Sequence, residues 1–200
     1  MTALAVADAP ERWAALGFAV GDRRVALGGV SIALGGPGEG ITGWTLVGSV
    51  AAAGAAIDGL ATTRREKVPP TVAKALRVES GHPNGAIAVD HVVIGTPDFD
   101  RTAAALDAAG LGLRRIRQAG DRRLGFRRLG PAIMEIAEAP EAEAPGFWGL
   151  TVTVADLEVA RAHMGGQLGE TRAAVQPGRH IATLGRGAGL STQVAFMDPG

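Results

Sequence analysis

The stretch AVDHVVIGTPD, Ala88 to Asp98, decides the reading of this chain, because it is an apolar strand that carries a histidine directly after an aspartate. Strands alternate faces, so His91, Val93 and Gly95 share one side while Val92 and Ile94 share the other. A turn, TPD, follows, and then a helical segment, FDRTAAALDAAG, in which Phe99, Ala103 and Leu106 fall at helical spacing. Asp98 or Asp100 can cap its first turn and Gly110 its end. Three strand-like runs come next, LGLRRIRQ, RRLGFRRLG and AIMEIAEA, divided by the turn signals Ala119-Gly120-Asp121 and Gly130-Pro131. The unit reads βαβββ.

The same order returns after the linker Pro140 to Pro145: FWGLTVTVAD as a strand, LEVARAHMG as a helix, and ETRAAVQ, HIATLGR and LSTQVAFM as strands. Aligning the opening strands sets His91 over Gly149 and Asp98 over Asp156. The first eighty residues read as a worn copy of this pair. ALAVAD and APERWAALGF supply a strand and a helix; GDRRVALGGVSIALGGP, Gly21 to Pro37, mirrors GDRRLGFRRLGPAIMEIAEAP, Gly120 to Pro140; and GITGWTLVGSV mirrors GFWGLTVTVAD, with Trp44 matching Trp148. After a helix over Ala51 to Leu60, the copy is expected to lose its strands, leaving TTRREKVPPTVAKALRVES as a polar connection or edge structure. The division is therefore residues 1–81, a degenerate module pair, and residues 82–200, an intact domain.

Composition limits the function classes. In 200 residues, 20 basic and 20 acidic side chains cancel and only 4% are aromatic, so neither a phosphate-tracking face nor a base-stacking platform is evident, and nucleic acid is not an expected partner. The absence of cysteine removes disulfides and thiolate sites. MTALAVADAPERW lacks the basic region of a signal peptide, and a cytoplasmic location is expected. Ile41 to Ala61 is long enough to span a bilayer but is mostly Ala and Gly and holds Asp58, which costs about 3 kcal/mol near a bilayer centre. A buried strand is the better reading, and no membrane partner is expected.

The paired units, the opening strand with His91, the terminal strand AIMEIAE with Glu135 and the second opening GLTVTVADLE resemble the vicinal oxygen chelate superfamily, the glyoxalase, bleomycin-resistance and dioxygenase group. The resemblance is strongest over Gly81 to Gly200. It implies an α+β fold in which paired βαβββ modules form a cupped, glyoxalase-like barrel around a small-molecule site. Metal-dependent members place four ligands, one on the first and one on the last strand of each unit. Carried onto this chain, the first unit supplies His91 and Glu135, as catalytic groups or as metal ligands. The second unit offers Gly149 and, to within about one residue, Val194, and Ala33 of the N-terminal copy aligns with Glu135. The metal site is incomplete, which works against glyoxalase I and dioxygenase chemistry. The expected cofactor is none, or a weakly bound divalent metal.

Two functions follow from the resemblance: a small-molecule-binding protein without a complete metal site, or a lyase or isomerase that uses His91 and Glu135 with a weakly held metal. His91 hydrogen-bonded in the core and Glu135 on a solvated edge is the structural alternative for both. Among the arginines of the second and third strands, if Leu124 and Phe126 point into the cup then Arg128 follows them, to hold an anionic or carbonyl-bearing ligand, while Arg123 and Arg127 point outward; a solvated face that discourages edge-to-edge pairing is the better reading for most of them. Phe126, Trp148 and Phe196, with Phe147 and Met197, are candidates for an apolar ligand pocket, although such residues more often fill a core. His180 stands at a strand start, His163 near a helix end, and His82 in a turn. The worn N-terminal half could serve as a homodimer surface. GGPGEG, Gly35 to Gly40, lacks the Lys-Ser/Thr ending of a phosphate loop.

Overall fold

The computed structural model describes residues 1–48, 55–67 and 81–199. In the C-terminal part, β7 (Ala86–Thr96) leads into α2 (Phe99–Ala108) and then β8 (Arg115–Ala119), β9 (Arg122–Leu129) and β10 (Ala132–Glu138). After a short connection, β11 (Gly146–Val154) leads into α3 (Leu157–Met164), β12 (Arg172–Ala173), β13 (His180–Thr183) and β14 (Gln193–Met197). The eight strands make one sheet in the order β12-β13-β14-β11-β7-β10-β9-β8. Each unit pairs its first strand in parallel with its last, β7 with β10 and β11 with β14, and the two first strands run antiparallel at the centre. This is the α+β fold of paired βαβββ modules expected from the sequence.

The helix starts show why the two units fold alike. Asp98 accepts a hydrogen bond from the Arg101 amide, and Asp156 accepts one from the Glu158 amide, so equivalent aspartates satisfy the first orphan amides of α2 and α3. One face of the sheet is apolar on every central strand: Val92, Ile94, Met134, Ile136, Val152 and Phe196 have no exposed surface. Phe99 and Leu106 of α2 and Ala160 and Met164 of α3 are buried in the same core cluster. Burying a side chain of this size stabilises by about 1.5–3 kcal/mol, so the period-two and helical patterns lock this face to the core. The other face is left to form the cup.

The described residues of the N-terminal part form a second, six-stranded sheet. This part contains β1 (Ala3–Val6), α1 (Pro10–Ala15), β2 (Arg24–Leu27), β3 (Val30–Leu34), β4 (Ile41–Val47), β5 (Ala56–Ile57) and β6 (Leu60–Arg65). Its sheet order is β2-β3-β1-β4-β6-β5. β1 runs parallel to β3 and antiparallel to β4, and β4 runs parallel to β6, which reproduces the central pairings of the larger sheet.

One expectation is corrected here. Of the helix expected over Ala51 to Leu60, residues 51–54 lie outside the described residues, and the remainder is a hairpin. Asp58 and Gly59 both take left-handed backbone, with φ of 44° and 85°, and turn β5 into β6. An Asp-Gly pair with both φ values positive is the preferred two-residue hairpin turn, and it overrides the helical propensity of the alanines before it. The copy therefore keeps a strand, β6, at the start of the stretch expected to be connection or edge structure; residues 68–80 of that stretch lie outside the described residues.

The two sheets are joined by polar and aromatic contacts and share one hydrophobic core. Asp8, 7% exposed, accepts hydrogen bonds from the Ser191 amide (2.6 Å), the Ser191 hydroxyl (2.7 Å) and the Thr192 amide (3.1 Å). Those bonds outweigh burial and hold its carboxyl below the ordinary range. Asn84 donates to the Leu16 carbonyl at 2.9 Å. Phe18 meets Phe196 at 6.0 Å between ring centroids, and Trp44 meets Phe147 edge-on at 5.3 Å. No helix among the described residues is long and apolar enough to cross a membrane.

Candidate functional site

The free face of the eight-stranded sheet encloses a cavity of about 760 Å³, within the usual size of small-molecule sites. His91 and Glu135 both line it, as do Leu124, Phe126, Ile133, Ile181 and Met197. Strand register explains the grouping. Ile133 lies opposite His91, and Glu135 lies opposite both Val93 and Phe126, so period-two alternation brings one face of β7, β9 and β10 to the cup.

Asp90 also lines the cavity, although simple alternation sends adjacent residues to opposite faces. The reason is a break in register. Thr151 of β11 pairs with His91 and its neighbour Val152 pairs with Val89, leaving Asp90 unmatched in a bulge. A bulge bends its strand and re-aims a side chain, and here it places an aspartate and the following histidine in one cavity.

The bulged pair builds a directed imidazole. Asp90 Oδ2 lies 2.9 Å from His91 Nδ1, and Asp90 Oδ1 accepts from the Arg179 guanidinium at 3.0 Å. Burial raises the carboxyl's pKa, but the hydrogen bonds and charges of His91 and Arg179 together bring it below its ordinary value. An ionised Asp90 has no proton to give, so the 2.9 Å bond is donated by His91 Nδ1–H. In the neutral ring, Nε2 then keeps its lone pair. It sits 3.0 Å from the Thr151 hydroxyl and 3.9 Å from Glu135 Oε2. Glu135 is 18% exposed, and burial pushes its pKa up, with His91 and Arg117 pulling against that rise. A carboxyl that is harder to ionise therefore stands beside a nitrogen that can take a proton, a pairing suited to proton transfer.

The arrangement does not fit a resident metal. Register lays the four positions that the resemblance points to in a square: His91 runs across through Thr151 to Ala195, and Glu135 runs across through Val93 to Gly149. The partner of Glu135 in the second unit is thus Ala195, one residue from Val194, whose side chain is buried in the core. Neither Ala195 nor Gly149 offers a donor, and a Cβ built on Gly149 would run into the Gln193 carbonyl. The Asp90 oxygens are taken by His91 and Arg179. One imidazole and one carboxylate remain, fewer than the three or four protein ligands of an ordinary site, and no group of three or more His, Asp or Glu able to hold an ion occurs among the described residues.

The other expected site residues are placed as follows. Phe126 lines the cavity, and so does Met197. Phe196 does not: it is fully buried on the opposite face, against Phe18. Trp148 is 41% exposed and lies against Gly95, outside the cavity lining. Phe147 packs on Trp44. Arg128 shares the face of Phe126 but is exposed and reaches only the Pro131 carbonyl, at 3.4 Å. Arg123 and Arg127 lie away from the cup: Arg123 bonds Glu138 and Asp100 and stacks over the Phe99 ring, while Arg127 donates to the Gly112 carbonyl. Instead, Arg115 and Arg117 of β8, opposite Phe126 and Leu124, reach the cavity, joined by Arg172 of β12.

The remaining histidines are structural or peripheral. His82 Nδ1 accepts from the Ala19 amide at 2.9 Å and its Nε2 bonds the Ala26 carbonyl at 2.8 Å, tying the sheets together. His180 pairs with Asp198 at 3.0 Å, half exposed. His163 is exposed on α3. Sequence reading missed Asp90, Thr151, Arg179 and the three cup arginines. Alternation on LGLRRIRQ could have found Arg115 and Arg117, whereas nothing local signals the bulge at Asp90.

No family model matches the chain, and no curated protein matches it. Among solved structures it is similar to methylmalonyl-CoA epimerase from Mycobacterium tuberculosis, with a TM-score of 0.49 and 17% identity, over 58% of this chain and 90% of that one. Streptomyces coelicolor methylmalonyl-CoA epimerase in complex with 2-nitronate-propionyl-CoA gives 0.47 and 15%, over 56% and 94%. A hypothetical protein from Bacillus halodurans gives 0.45 and 14%, over 56% and 94%. Strand order, the parallel first-to-last pairing within each unit and the cup between the units together make the C-terminal sheet a vicinal-oxygen-chelate, glyoxalase-like fold.

Proposed function

We propose that this chain is a glyoxalase-like protein that binds a small molecule in the cup of residues 82–200, without a complete metal site, while residues 1–81 form the degenerate module pair that supports it. The observation that carries this reading is the cavity of about 760 Å³ whose floor holds His91 and Glu135 while the matching positions of the second unit are Gly149 and Ala195. Its walls combine an apolar surface from Leu124, Phe126, Ile133, Ile181 and Met197 with charged and polar side chains that can fix orientation, the mixture that small-molecule sites use. The test is titration with the neutral fluorescent probe N-phenyl-1-naphthylamine, with metal content of chelator-free protein measured in parallel. Probe affinity is expected to fall at least tenfold in Ile133→Trp, which fills the cup; equal affinity in both proteins overturns the reading. Near-stoichiometric metal that is lost in His91→Ala overturns the metal-free part.

The hold of Asp90 on His91 favours a second reading, an isomerase or lyase that moves a proton between carbon and His91 Nε2, with Glu135 as the opposite acid. Orientation of the imidazole by a carboxylate is what a general base requires. The check is deuterium uptake from D2O at the carbon beside the carbonyl in a panel of carbonyl compounds, followed by NMR. Exchange that His91→Ala abolishes supports this reading, and exchange unchanged in that variant removes it.

A further inference from the structure

The cup holds more positive charge than the protein itself uses. β8 and β12 stand at opposite ends of the strand order, yet Arg115 and Arg117 of one and Arg172 of the other line the same cavity. The sheet has therefore curled until its two edges face each other, with guanidinium groups on both. Among the described residues none of these three arginines forms an ion pair, while Arg101, Arg122, Arg123, Arg161 and Arg179 all do. The Nε of Arg117 is shut off from solvent and has no acceptor.

The carboxylates of the cavity do not balance this charge. Asp90 is already taken, one oxygen by Arg179 and the other by His91. Glu135 is the single acid left to face three cations, and it makes none of the hydrogen bonds that would fix it to Arg117 as a structural pair. Like charges around a partly closed, low-dielectric space repel one another, and an incoming anion removes that cost. Between the charged edges the surface is apolar, from Leu124, Phe126, Ile133, Ile181 and Met197.

We propose that the cup selects organic anions: molecules with a carboxylate or phosphate head, held by Arg115, Arg117 and Arg172, and an apolar body against Phe126 and Ile133. Guanidinium groups match both heads because their paired N–H donors fit two oxygens at once. The inference rests on the cup being the ligand site, and its test separates the two claims.

Octanoate, octyl phosphate, octanol and octylamine are used to displace N-phenyl-1-naphthylamine from the full-length protein, from Arg115→Gln/Arg117→Gln and from the control Arg122→Gln. The anions are expected to displace the probe at concentrations at least about tenfold below octanol, the effect of a charge-assisted hydrogen bond, and octylamine should be poorer still. The double variant should erase that preference while the control keeps it, and 0.5 M salt (an order-of-magnitude excess over ordinary buffers) should weaken it in the parent. A lead of octanoate over octyl phosphate, or the reverse, identifies the head group. If octanol or octylamine displaces as well as the anions, or the double variant keeps the preference, the inference is overturned while the cup reading stands. If Ile133→Trp leaves probe binding unchanged, both fall. Should the double variant fail to fold, Arg115→Gln alone and the salt titration of the parent decide: a preference indifferent to both overturns the proposal.

Discussion

Replacing Asp90 by asparagine tests the logic of the site most directly. The carboxylate makes two short bonds, 2.9 Å to His91 Nδ1 and 3.0 Å to Arg179, and is 13% exposed. The amide keeps the shape but not the charge. A hydrogen bond involving a charged group contributes about 1.5–3 kcal/mol and a neutral one about 0.5–1.5, so each bond loses about 1 kcal/mol and the variant about 2. For a chain of this length that corresponds to a fall in Tm of about 4–8 °C. Asp90 lies below its ordinary 3.8 in the folded state, so its stabilisation is present above that value and lost as pH falls through the folded one. The gap between parent and variant should narrow in that acid window. A sharper consequence concerns the ring. With its oxygen held by Arg179, the amide turns its N–H toward Nδ1, which must then accept, and the neutral imidazole moves its proton to Nε2. The nitrogen facing the cup changes from acceptor to donor. ¹⁵N NMR of labelled histidine distinguishes the tautomers: the parent should show a protonated Nδ1 and the variant a protonated Nε2. A parent ring already protonated at Nε2 alone, or a variant with unchanged tautomer and midpoint, refutes the reasoning.

Two other outcomes follow from the same contacts. Burial raises Glu135 above its ordinary 4.5, and a raised acid stabilises the fold at low pH and loses that contribution as pH rises through the folded value; urea midpoints should therefore shift in favour of Glu135→Gln from about pH 4.5 upward, and a gap constant with pH would contradict this. Asp8→Ala removes the acceptor for the Ser191 amide and hydroxyl and the Thr192 amide and should cost about 3 kcal/mol by leaving these donors unpaired, with faster proteolysis of the N-terminal sheet; a loss under about 1 kcal/mol would show that the sheets do not depend on this junction.

The βαβββ repeat was legible because each of its elements obeys a local rule. The period-two run of AVDHVVIG buries Val92 and Ile94, Asp98 and Asp156 cap equivalent helices, and Gly-Asp or Gly-Pro pairs separate the strands. His91 and Glu135 were singled out by the family resemblance, since counting residues groups side chains on one face without saying which face is the cup; both line the cavity. The hairpin at Asp58-Gly59 was missed because the neighbouring alanine run has helical propensity and was weighed above the local Asp-Gly turn signal; in the fold the strand after the turn, β6, also pairs with β4. Phe196 shows the limit of residue type: an aromatic beside Met197 reads as a pocket residue, yet alternation gives the cup to Met197 and the core to Phe196.

By itself, then, the sequence determined the repeat of βαβββ units, because it follows from periodicity and turn signals within each strand and helix, while the resemblance that those units carry is what pointed to His91, Glu135 and Gly149. Tertiary structure alone decided that Asp90 turns into the cup beside His91, that Arg179 holds it there, and that arginines from β8 and β12 share one cavity. A bulge depends on the register of a partner strand sixty residues away, and the meeting of two sheet edges depends on the accumulated curl of eight strands. Neither quantity is carried by any local stretch of the chain.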